Sequence, residues 1–430
     1  MTRSEPAEAV RPSSSLFATR IALRSPIPLP LADEVERRIL FLSSDFADFD
    51  LVTGPVGVTG VTVYSAEPLD DAEVTRKVNT AVDTEVRPQF VTPAKVVWRS
   101  PVEREVIEGS FEKLARAGAV IQTGEGQIAM GEPLLTLFQY FDRALVELLK
   151  SSFKVQQYQY PTLISTATLQ EAGYITAFPH HLLFVTRLHN DIDVYREIQS
   201  TYADAPLDEA LLQSCRNVDY CLPPTMCYHT FSQYQGRTVG ADGPHVVTAL
   251  GKSFRFEAGY ATTMERLWDF TIREMVFMGT RAEVLGMREL MMTKIFDLMR
   301  QLGMSGHCEV GNDPFFGSAD TSDRIVSQRM MELKYELRLP VGSDRTISVG
   351  SFNFHNDLFG RSFGIEHGDG GPVSSACVGF GMERLVYAFL CQFGLDERNW
   401  PAAVRSHVQG QAQTLHNQRI GNEVCINERP

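Results

Sequence analysis

Residues 252–276, KSFRFEAGYATTMERLWDFTIREMV, carry the pattern from which the rest of this sequence is interpreted. The segment FRFE alternates aromatic and charged residues, which is typical of a β-strand. On such a strand Arg255 and Glu257 share one face, so a guanidinium and a carboxylate lie side by side. A glycine-containing loop follows, and the chain returns through an apolar stretch that carries Arg266 and Glu274. The pattern predicts a hairpin with a face suited to phosphate, although surface ion pairs on an edge hairpin have the same spacing.

A second motif lies towards the C-terminus, in SSACVGFGMERLVYAFL at residues 374–390. Its small residues predict a strand, which turns at Gly379 and Gly381 into a helix with apolar periodicity. Arg384 falls in the first turn of that helix, where backbone amides and the helix dipole favour anions. A tightly packed corner between a strand and a helix would need the same glycines, so this motif alone is a weak signal.

The flanking sequence predicts both helices and strands, and therefore a mixed fold. An apolar stripe predicts a helix over about 134–148. A longer helix is predicted over 281–302, with Gly303 as its C-terminal cap. Two polar helices, broken near Pro206, are predicted within 187–215. Strands are predicted at about 225–235, 245–258, 328–340, 345–354 and 373–380.

The composition is that of a globular protein. Of 430 residues, 43% are hydrophobic, and 53 acidic residues against 40 basic ones give a net charge of −13. This hydrophobic content excludes intrinsic disorder, and the acidic balance disfavours a nucleic-acid-binding surface. No apolar run of about 18 residues is present, which excludes a membrane span. Seven cysteines, with no apolar signal-peptide segment among the first residues, predict a reduced, cytoplasmic protein whose special cysteines bind metal or react.

Three regions are predicted along the chain. Residues 1–14 are polar and rich in Ser and Pro, which predicts a disordered tail. Residues 15–101 combine Val- and Thr-rich strands with two helices, which predicts a small N-terminal accessory α/β domain. Residues 102–430 are predicted to form one large domain that contains both motifs. The region 15–101 carries more acidic than basic residues, which disfavours a role in binding nucleic acid.

Taken together, the two motifs resemble motifs 2 and 3 of class II aminoacyl-tRNA synthetases. The FRFE segment, its loop and the spacing of Arg266, Phe270 and Glu274 resemble motif 2, and GFGMERL resembles motif 3. The striped helix that leads to Pro161 resembles motif 1, which builds the dimer interface of that family. The order and spacing are most similar to the seryl-tRNA synthetase branch, over about residues 102–400. The resemblance implies an α+β fold, with an antiparallel sheet flanked by helices, and a homodimer.

Further segments narrow the resemblance to bacterial amino acid:[carrier protein] ligases, which are truncated relatives of the atypical seryl-tRNA synthetases of methanogens. The similar segments are LISTATLQEAGYITAFPHHLLFV, PPTMCYH, FRFEAG, RLWDFTIREMVFMGT, DPFF, LKYEL, SFNFH and ACVGFGMERL. That group carries a Cys, Glu, Cys zinc site, and the matching residues here are Cys227, Glu274 and Cys377. Two thiolates and a carboxylate suit Zn²⁺ with an open fourth position, whereas isolated cysteines are usually buried small hydrophobes. Each of the three residues is expected on a strand.

The resemblance also implies roles for the nucleotide-binding residues. Arg255 would hold the α-phosphate of ATP, and Glu257 would bind its adenine side. Arg384 and Arg266 would hold the outer phosphates together with Mg²⁺.

A small amino acid, glycine or alanine, would be activated as its adenylate and transferred to the phosphopantetheine thiol of a carrier protein. Ser351 and Asn353 match a pocket-lining segment and are expected to contact the substrate. The insertion at 187–215 is expected to dock the carrier protein, and no tRNA partner is expected.

Two alternatives remain open from the sequence. A methanogen-type seryl-tRNA synthetase is favoured by the predicted N-terminal domain, which the shortest ligases lack. A non-catalytic regulatory protein derived from a synthetase is disfavoured, because a binding module has no need of both the arginines and the metal-type residues. His180, His181 and His229 are candidate general bases, although an isolated histidine is more often structural.

Overall fold

A computed structural model describes residues 16–89, 94–257, 263–313, 315 and 321–410. The chain divides into two compact units. The first unit comprises Met1–Pro93 and Pro314–Val326, and the second comprises Ala94–Asp313 and Ser327–Pro430. The tail predicted at 1–14 lies outside the described residues.

The first unit contains a three-stranded antiparallel sheet in the order β1-β3-β2, together with two helices. Its elements are β1 (Phe17–Ile27), α1 (Ala32–Ile39), β2 (Asp48–Gly54), β3 (Gly57–Ser65) and α2 (Asp71–Ala81). Asp70 caps α2, because its carboxylate accepts hydrogen bonds from the backbone amides of Ala72 and Glu73. Helix α2 continues into a five-residue π-helical segment, Val82–Val86.

The elements that follow Ala94 alternate helices and strands. In chain order they are β4 (Val96–Arg99), α3 (Ser110–Arg116), β5 (Val120–Gly124), β6 (Gln127–Met130), α4 (Leu134–Lys150), β7 (Gln156–Tyr158), β8 (Ile164–Ser165), α5 (Thr166–Glu171), α6 (Tyr174–Ala177), β9 (Phe184–Leu188), α7 (Ile192–Thr201), β10 (Cys215–Cys221), α8 (Cys227–Gln233), β11 (Thr238–Val239), β12 (His245–Phe254), β13 (Asp269–Gly279), α9 (Arg281–Gln301), β14 (His307–Val310), α10 (Thr321–Met330), β15 (Lys334–Gly342), β16 (Arg345–Asn356), α11 (Leu358–Ser362), β17 (Glu366–His367), β18 (Ser374–Gly381) and α12 (Met382–Phe393).

An eight-stranded sheet organises the second unit, with the strand order β4-β14-β15-β16-β18-β13-β12-β7. Neighbouring strands are antiparallel except for β7, which runs parallel to β12. The predicted α+β class, with an antiparallel sheet flanked by helices, is therefore confirmed.

The two faces of this sheet are buried by different sets of residues, because successive side chains of a strand point to opposite faces. On β13, Met275 and Phe277 belong to a core formed with helices α4, α9 and α12. The alternate residue Val276 belongs to a second core, which includes Cys377 and the aromatic residue Phe231 of α8. The second face is the one on which the candidate site lies.

Several predicted elements match the structure closely. The helix predicted over 281–302 is α9, which begins with a capping box between Thr280 and Glu283. Gly303 follows it with a φ of +64°, the left-handed conformation expected of a C-terminal cap. The striped helix is α4, and the hairpin formed by β12 and β13 is present. No helix within the described residues is both long enough and apolar enough to span a membrane.

Other predictions are wrong. The strand expected at 225–235 is helix α8, because burial of its aromatic residues in the second core overrides their strand propensity. The strand expected from 328 begins only at Lys334, after helix α10. Within 187–215, the first predicted helix is α7, but the second is a short 3-10 segment, Glu209–Ser214.

Candidate active site

Three potential metal ligands meet on the second face of the large sheet. A sulfur of Cys227, a sulfur of Cys377 and a carboxylate oxygen of Glu274 all lie within 4.8 Å of one another. The three side chains are buried, with exposed fractions of 3–5%. Antiparallel pairing explains the convergence of two of them, because Glu274 is opposite Gly379 and Cys377 is opposite Val276.

Cys227 reaches this group from a different kind of element than expected. It is the first residue of helix α8, whereas Glu274 and Cys377 lie on strands β13 and β18. The expectation that all three residues lie on strands is therefore wrong for Cys227. The group combines two residues fixed by the hydrogen bonds of the sheet with one residue fixed by the packing of a short helix.

The surroundings of Glu274 fit a bound cation. The Thr225 hydroxyl donates a hydrogen bond of 2.8 Å to Oε2 of Glu274, whereas Oε1 is buried and has no N–H or O–H donor among the described residues. A Cβ at position 379 would lie 3.2 Å from this Oε1, so Gly379 keeps the space beside it open. A buried acceptor without a partner is costly unless a ligand satisfies it.

Burial controls the protonation of the group. Burial raises the pKa of Glu274 to about 7, against the opposing effect of the Thr225 hydrogen bond. The contact with Cys227, and then burial, raise the pKa of the Cys377 thiol well above its usual value. Groups of this kind release their protons when they bind a metal, so the donor set fits a site that forms around a cation.

Strand β16 adds polar side chains next to Cys377. Asn353 is opposite Cys377 in the sheet, and its Nδ2 lies 3.6 Å from the sulfur and 3.1 Å from the Ser351 hydroxyl. The sequence-predicted substrate residues Ser351 and Asn353 are therefore on the same face as the three potential metal ligands.

His355 is a site residue that the sequence reasoning missed. Its Nε2 lies 3.5 Å from the sulfur of Cys377, and its Nδ1 lies 3.1 Å from the Ser375 hydroxyl. Burial lowers the pKa of His355 to about 4 and so keeps the ring neutral. The available signal was the alternation in SFNFH, which places Ser351, Asn353 and His355 on one face of a strand.

The sequence-predicted phosphate-binding residues form a second group. Arg266 donates a hydrogen bond of 3.1 Å to Glu257, and the Nε of Arg384 donates to the backbone oxygen of Glu265 at 2.6 Å. Burial, followed by repulsion from Arg266, lowers the pKa of Arg384 to about 10. Arg255 also repels Arg384, and its charge lowers the pKa of Glu274, so the two groups are within electrostatic range of each other.

The segment FRFE differs from its expected geometry. Strand β12 ends at Phe254, so Arg255 and Glu257 follow the strand and do not share its face. The hydrogen bonds that hold the backbone of this segment include one from the amide of Arg255 to the Trp268 carbonyl at 3.0 Å and one from the Trp268 indole to the Glu257 carbonyl at 2.8 Å. The Nε of Arg255 donates to the carbonyl of Pro224 at 3.1 Å, only three residues before Cys227.

Helix α12 is fixed to the sheet at the residue before Arg384. The carboxylate of Glu383 accepts two hydrogen bonds of 2.8 Å from Thr271, one from the backbone amide and one from the hydroxyl. Arg384 lies in the first turn of α12, as predicted. This contact fixes the first turn of α12, and with it the backbone of Arg384, relative to strand β13.

Two of the three candidate histidines, His181 and His229, are buried next to tyrosine side chains. His181 is buried and its Nδ1 lies 3.3 Å from the Tyr174 hydroxyl, while burial and the neighbouring His180 lower the pKa of His181 to about 2. His229 stacks on Tyr160, and burial lowers its pKa to about 4. Such weak bases are poor candidates for general bases near neutral pH.

The insertion at 187–215 has an exposed apolar surface. Its flanking strands β9 and β10 form a small sheet with β8, and no residue of helix α7 is buried. The large apolar side chains exposed within the insertion are Ile192, Tyr195, Leu207 and Leu212. Phe184 on β9 and Val218 and Tyr220 on β10 are exposed beside it. Exposed apolar patches of this kind are typical of protein-binding surfaces.

Comparisons with known proteins give the following relatives. No family model matches the chain. It is 32% identical over 248 residues to amino acid–[acyl-carrier-protein] ligase 1 of Bradyrhizobium diazoefficiens, a match that covers 57% of this chain and 74% of the relative. It is 34% identical over 262 residues to ligase 2 of the same organism, covering 60% and 75%. The type-2 serine–tRNA ligase of Methanothermobacter thermautotrophicus is 24% identical over 398 residues, covering 87% of this chain and 76% of the relative.

Solved structures share the fold. The M. kandleri seryl-tRNA synthetase, determined with tRNASec of A. aeolicus, superposes with a TM-score of 0.67 at 21% identity and covers 91% of this chain and 77% of its own. The cytoplasmic serine–tRNA ligase of Naegleria fowleri, determined with AMP, has a TM-score of 0.58 at 12% identity, covering 79% of this chain and 72% of its own.

Proposed function

Because this chain belongs to the amino acid–[acyl-carrier-protein] ligase family, we propose that it activates a small amino acid with ATP and transfers it to the phosphopantetheine thiol of a carrier protein. The chain is an amino acid ligase of the class II synthetase type, which removes the non-catalytic alternative. The proposal includes the identity of the amino acid, the adenylate intermediate and the role of each site residue.

The first step forms an aminoacyl adenylate. A carboxylate oxygen of the amino acid attacks the α-phosphorus of ATP, and the bond to the β-phosphate oxygen breaks to release pyrophosphate. The carboxylate is already a nucleophile, so this step needs positioning and charge stabilisation more than a general base.

The second step forms a thioester. The sulfur of the phosphopantetheine arm, having lost its proton, attacks the acyl carbon of the adenylate. The bond from that carbon to the phosphate oxygen breaks, and AMP leaves with both electrons.

We assign the binding of ATP to the arginine group, which consists of Arg255, Arg266 and Arg384. We assign Arg255 to the α-phosphate and Arg384, with Arg266, to the outer phosphates, which Mg²⁺ accompanies. The pKa of Arg384 is lowered first by burial and then by repulsion from Arg266 and Arg255, so an anion bound among the three arginines would offset their charge. Glu257 is assigned to the adenine side of the nucleotide, and its hydrogen bond with Arg266 aligns the two residues.

Cys227, Glu274 and Cys377 are assigned to a zinc ion. Held by these three residues, zinc would act as a Lewis acid that binds the neutral α-amino group of the substrate. The unsatisfied Oε1 of Glu274 and the three donor atoms within 4.8 Å support the assignment. Ser351 and Asn353, on the same face, are assigned to the amino acid, and glycine or alanine is the expected substrate.

The insertion at 187–215 is assigned to docking of the carrier protein, which its exposed apolar side chains support. A homodimer is part of the proposal as well. Helix α4 resembles the helix that pairs in class II synthetases, and Leu135 on it is 42% exposed.

One observation favours a second candidate, a serine–tRNA ligase. The match to the type-2 serine–tRNA ligase covers 87% of this chain, whereas the matches to the two carrier-protein ligases cover 57% and 60%. The longer match extends over more of the chain, although its identity is lower, at 24%. The acidic balance of residues 15–101 disfavours tRNA binding there.

The proposal depends most on the meeting of the Cys227, Glu274 and Cys377 donor atoms near the arginine group. The test measures exchange of radiolabelled pyrophosphate into ATP with each amino acid. A phosphopantetheinylated carrier protein or tRNA is then offered as acceptor. Glycine- or alanine-dependent exchange with transfer to the carrier is expected. Transfer to tRNA would establish the second candidate, and no exchange with any amino acid would reject both.

A further inference from the structure

The sulfur of Cys377 differs from that of Cys227 in its hydrogen-bond environment. Two nitrogen atoms of strand β16 lie near it, Nε2 of His355 at 3.5 Å and Nδ2 of Asn353 at 3.6 Å. The sulfur of Cys227 contacts the Thr225 hydroxyl, at 4.0 Å. Strand β16 therefore surrounds only one of the two sulfur ligands with nitrogen donors, as far as the described residues are concerned.

Binding of zinc would make Cys377 a thiolate, which only accepts hydrogen bonds, so the Nε2 of His355 that faces it would carry the proton. The other nitrogen, Nδ1, then accepts from the Ser375 hydroxyl at 3.1 Å. Ser375 is fully buried, so water does not compete for this hydroxyl.

The proposed ligands carry more negative charge than the metal ion can neutralise, so nearby hydrogen-bond donors are needed. Two thiolates and one carboxylate carry three negative charges, one more than Zn²⁺ neutralises, and this excess is buried. Hydrogen bonds from N–H groups to a ligand sulfur spread its charge and fix its position.

We propose that His355 is a positioning residue for the metal site, which holds the Cys377 sulfur through its Nε2–H and is itself oriented by Ser375. This inference rests on the metal site of the proposed function. His355 is not itself one of the ligands, because the group of donor atoms within 4.8 Å of one another contains Cys227, Glu274 and Cys377 without it.

The packing of His355 allows a clean substitution. Its ring packs edge-on against the rings of Phe359 and Phe231, with distances between ring centroids of 4.8 Å and 6.0 Å. His355→Phe keeps an aromatic ring in these contacts but removes both nitrogens. His355→Gln restores an N–H donor at about the reach of Nε2. Ser375→Ala keeps the imidazole and removes only the group that orients it.

The matched control is His245→Phe. His245 also packs against an aromatic ring, that of Tyr234 at 4.6 Å. It lies opposite Met278, four residues along β13 from Glu274. It is not one of the potential metal ligands, which are Cys227, Glu274 and Cys377.

The experiment measures the zinc affinity of the full-length protein by competition with a chromophoric chelator, and the thiolate-to-metal charge-transfer bands of the cobalt(II)-substituted protein. His355→Phe is expected to weaken zinc binding by about 10- to 100-fold and to shift the charge-transfer bands. His355→Gln should recover most of the affinity. Ser375→Ala should also weaken zinc binding, and His245→Phe should leave the zinc affinity unchanged.

The outcomes separate this inference from the proposed function. Zinc affinity and cobalt spectra of His355→Phe and Ser375→Ala equal to those of the wild type would overturn the positioning role. Histidine scattering in the zinc X-ray absorption spectrum of the wild type would overturn it too, because His355 would then be a ligand. A wild-type protein that binds no zinc would reject the metal site of the proposed function itself. Circular dichroism melting of each variant identifies any loss that comes from unfolding.

Discussion

The guanidinium of Arg273 grips the carboxylate of Asp142 through two hydrogen bonds, of 2.6 Å and 2.9 Å. Arg273 is 2% exposed and lies on β13, directly before Glu274, whereas Asp142 lies on α4. The pair ties the helix that resembles the dimer-forming element to the strand that carries a potential metal ligand.

Replacing Asp142 should therefore destabilise the fold. Asp142→Ala leaves a buried guanidinium without its partner, which costs about 3–5 kcal/mol in the free energy of unfolding. We expect the lower end of that range, because the Asp142 side chain is 23% exposed. Urea unfolding followed by circular dichroism measures the effect. The control is Asp193→Ala, which removes an exposed pair with Arg196 and should change stability by less than about 0.5 kcal/mol.

Cys227→Ala and Cys377→Ala are expected to lose zinc and amino acid activation together. Each variant leaves two of the three ligands, which is too few for a tight site. Elemental analysis and pyrophosphate exchange on the same preparation measure the two properties. Cys308→Ala is the control, because Cys308 is buried in the core on the opposite face and should keep both properties. Full activation by a zinc-free variant would contradict the role given to the metal.

Arg384→Ala is expected to separate ATP use from metal binding. Removal of one preorganised charge that stabilises the transition state lowers the rate of pyrophosphate exchange by about 100- to 1,000-fold. Zinc content should remain that of the wild type, because Arg384 hydrogen-bonds to the backbone oxygens of Glu265 and Ser348 and not to a ligand residue. A loss of zinc in this variant would contradict the separate phosphate role.

The first unit should lose stability in acid through Glu34. Burial alone would raise the pKa of this carboxyl, but the charges of Arg37 and Arg38 and the hydrogen bonds from Arg38 and Gln89 lower it below its ordinary value of 4.5. A group whose pKa is lowered by folding stabilises the protein above the unfolded pKa, and this contribution is lost as the pH falls through the folded value.

The test compares the wild type with Glu34→Gln. The difference in the free energy of opening of α1 should be constant above about pH 6 and shrink progressively below pH 4.5, the ordinary value for this carboxyl. Hydrogen exchange of peptides from α1, corrected for the intrinsic exchange rate at each pH, measures this difference. A difference that grows on acidification would reverse the predicted sign.

Sequence patterns predicted the parts of the site that local periodicity determines. Glu274 and Cys377 were predicted to lie on strands, and they do. Their meeting was expected only from the family resemblance, because it depends on the register between β13 and β18, which spacing along one chain does not reveal. Cys227 was placed on the wrong element, because a seven-residue helix held by tertiary packing has no clear periodic signal. His355 was missed because its importance depends on the register between β16 and β18, which one sequence does not reveal.

Cys227 and the other two potential metal ligands, Glu274 and Cys377, differ in how tightly the fold fixes their positions. Glu274 and Cys377 lie on paired strands whose alternate side chains fill the core on the opposite face. A one-residue slip in register would turn the two potential ligands into that core and turn apolar side chains towards the site. Cys227 is free of that constraint. A change in the loop before α8 can therefore move Cys227 relative to the other two donors while the pairing of β13 with β18 is kept.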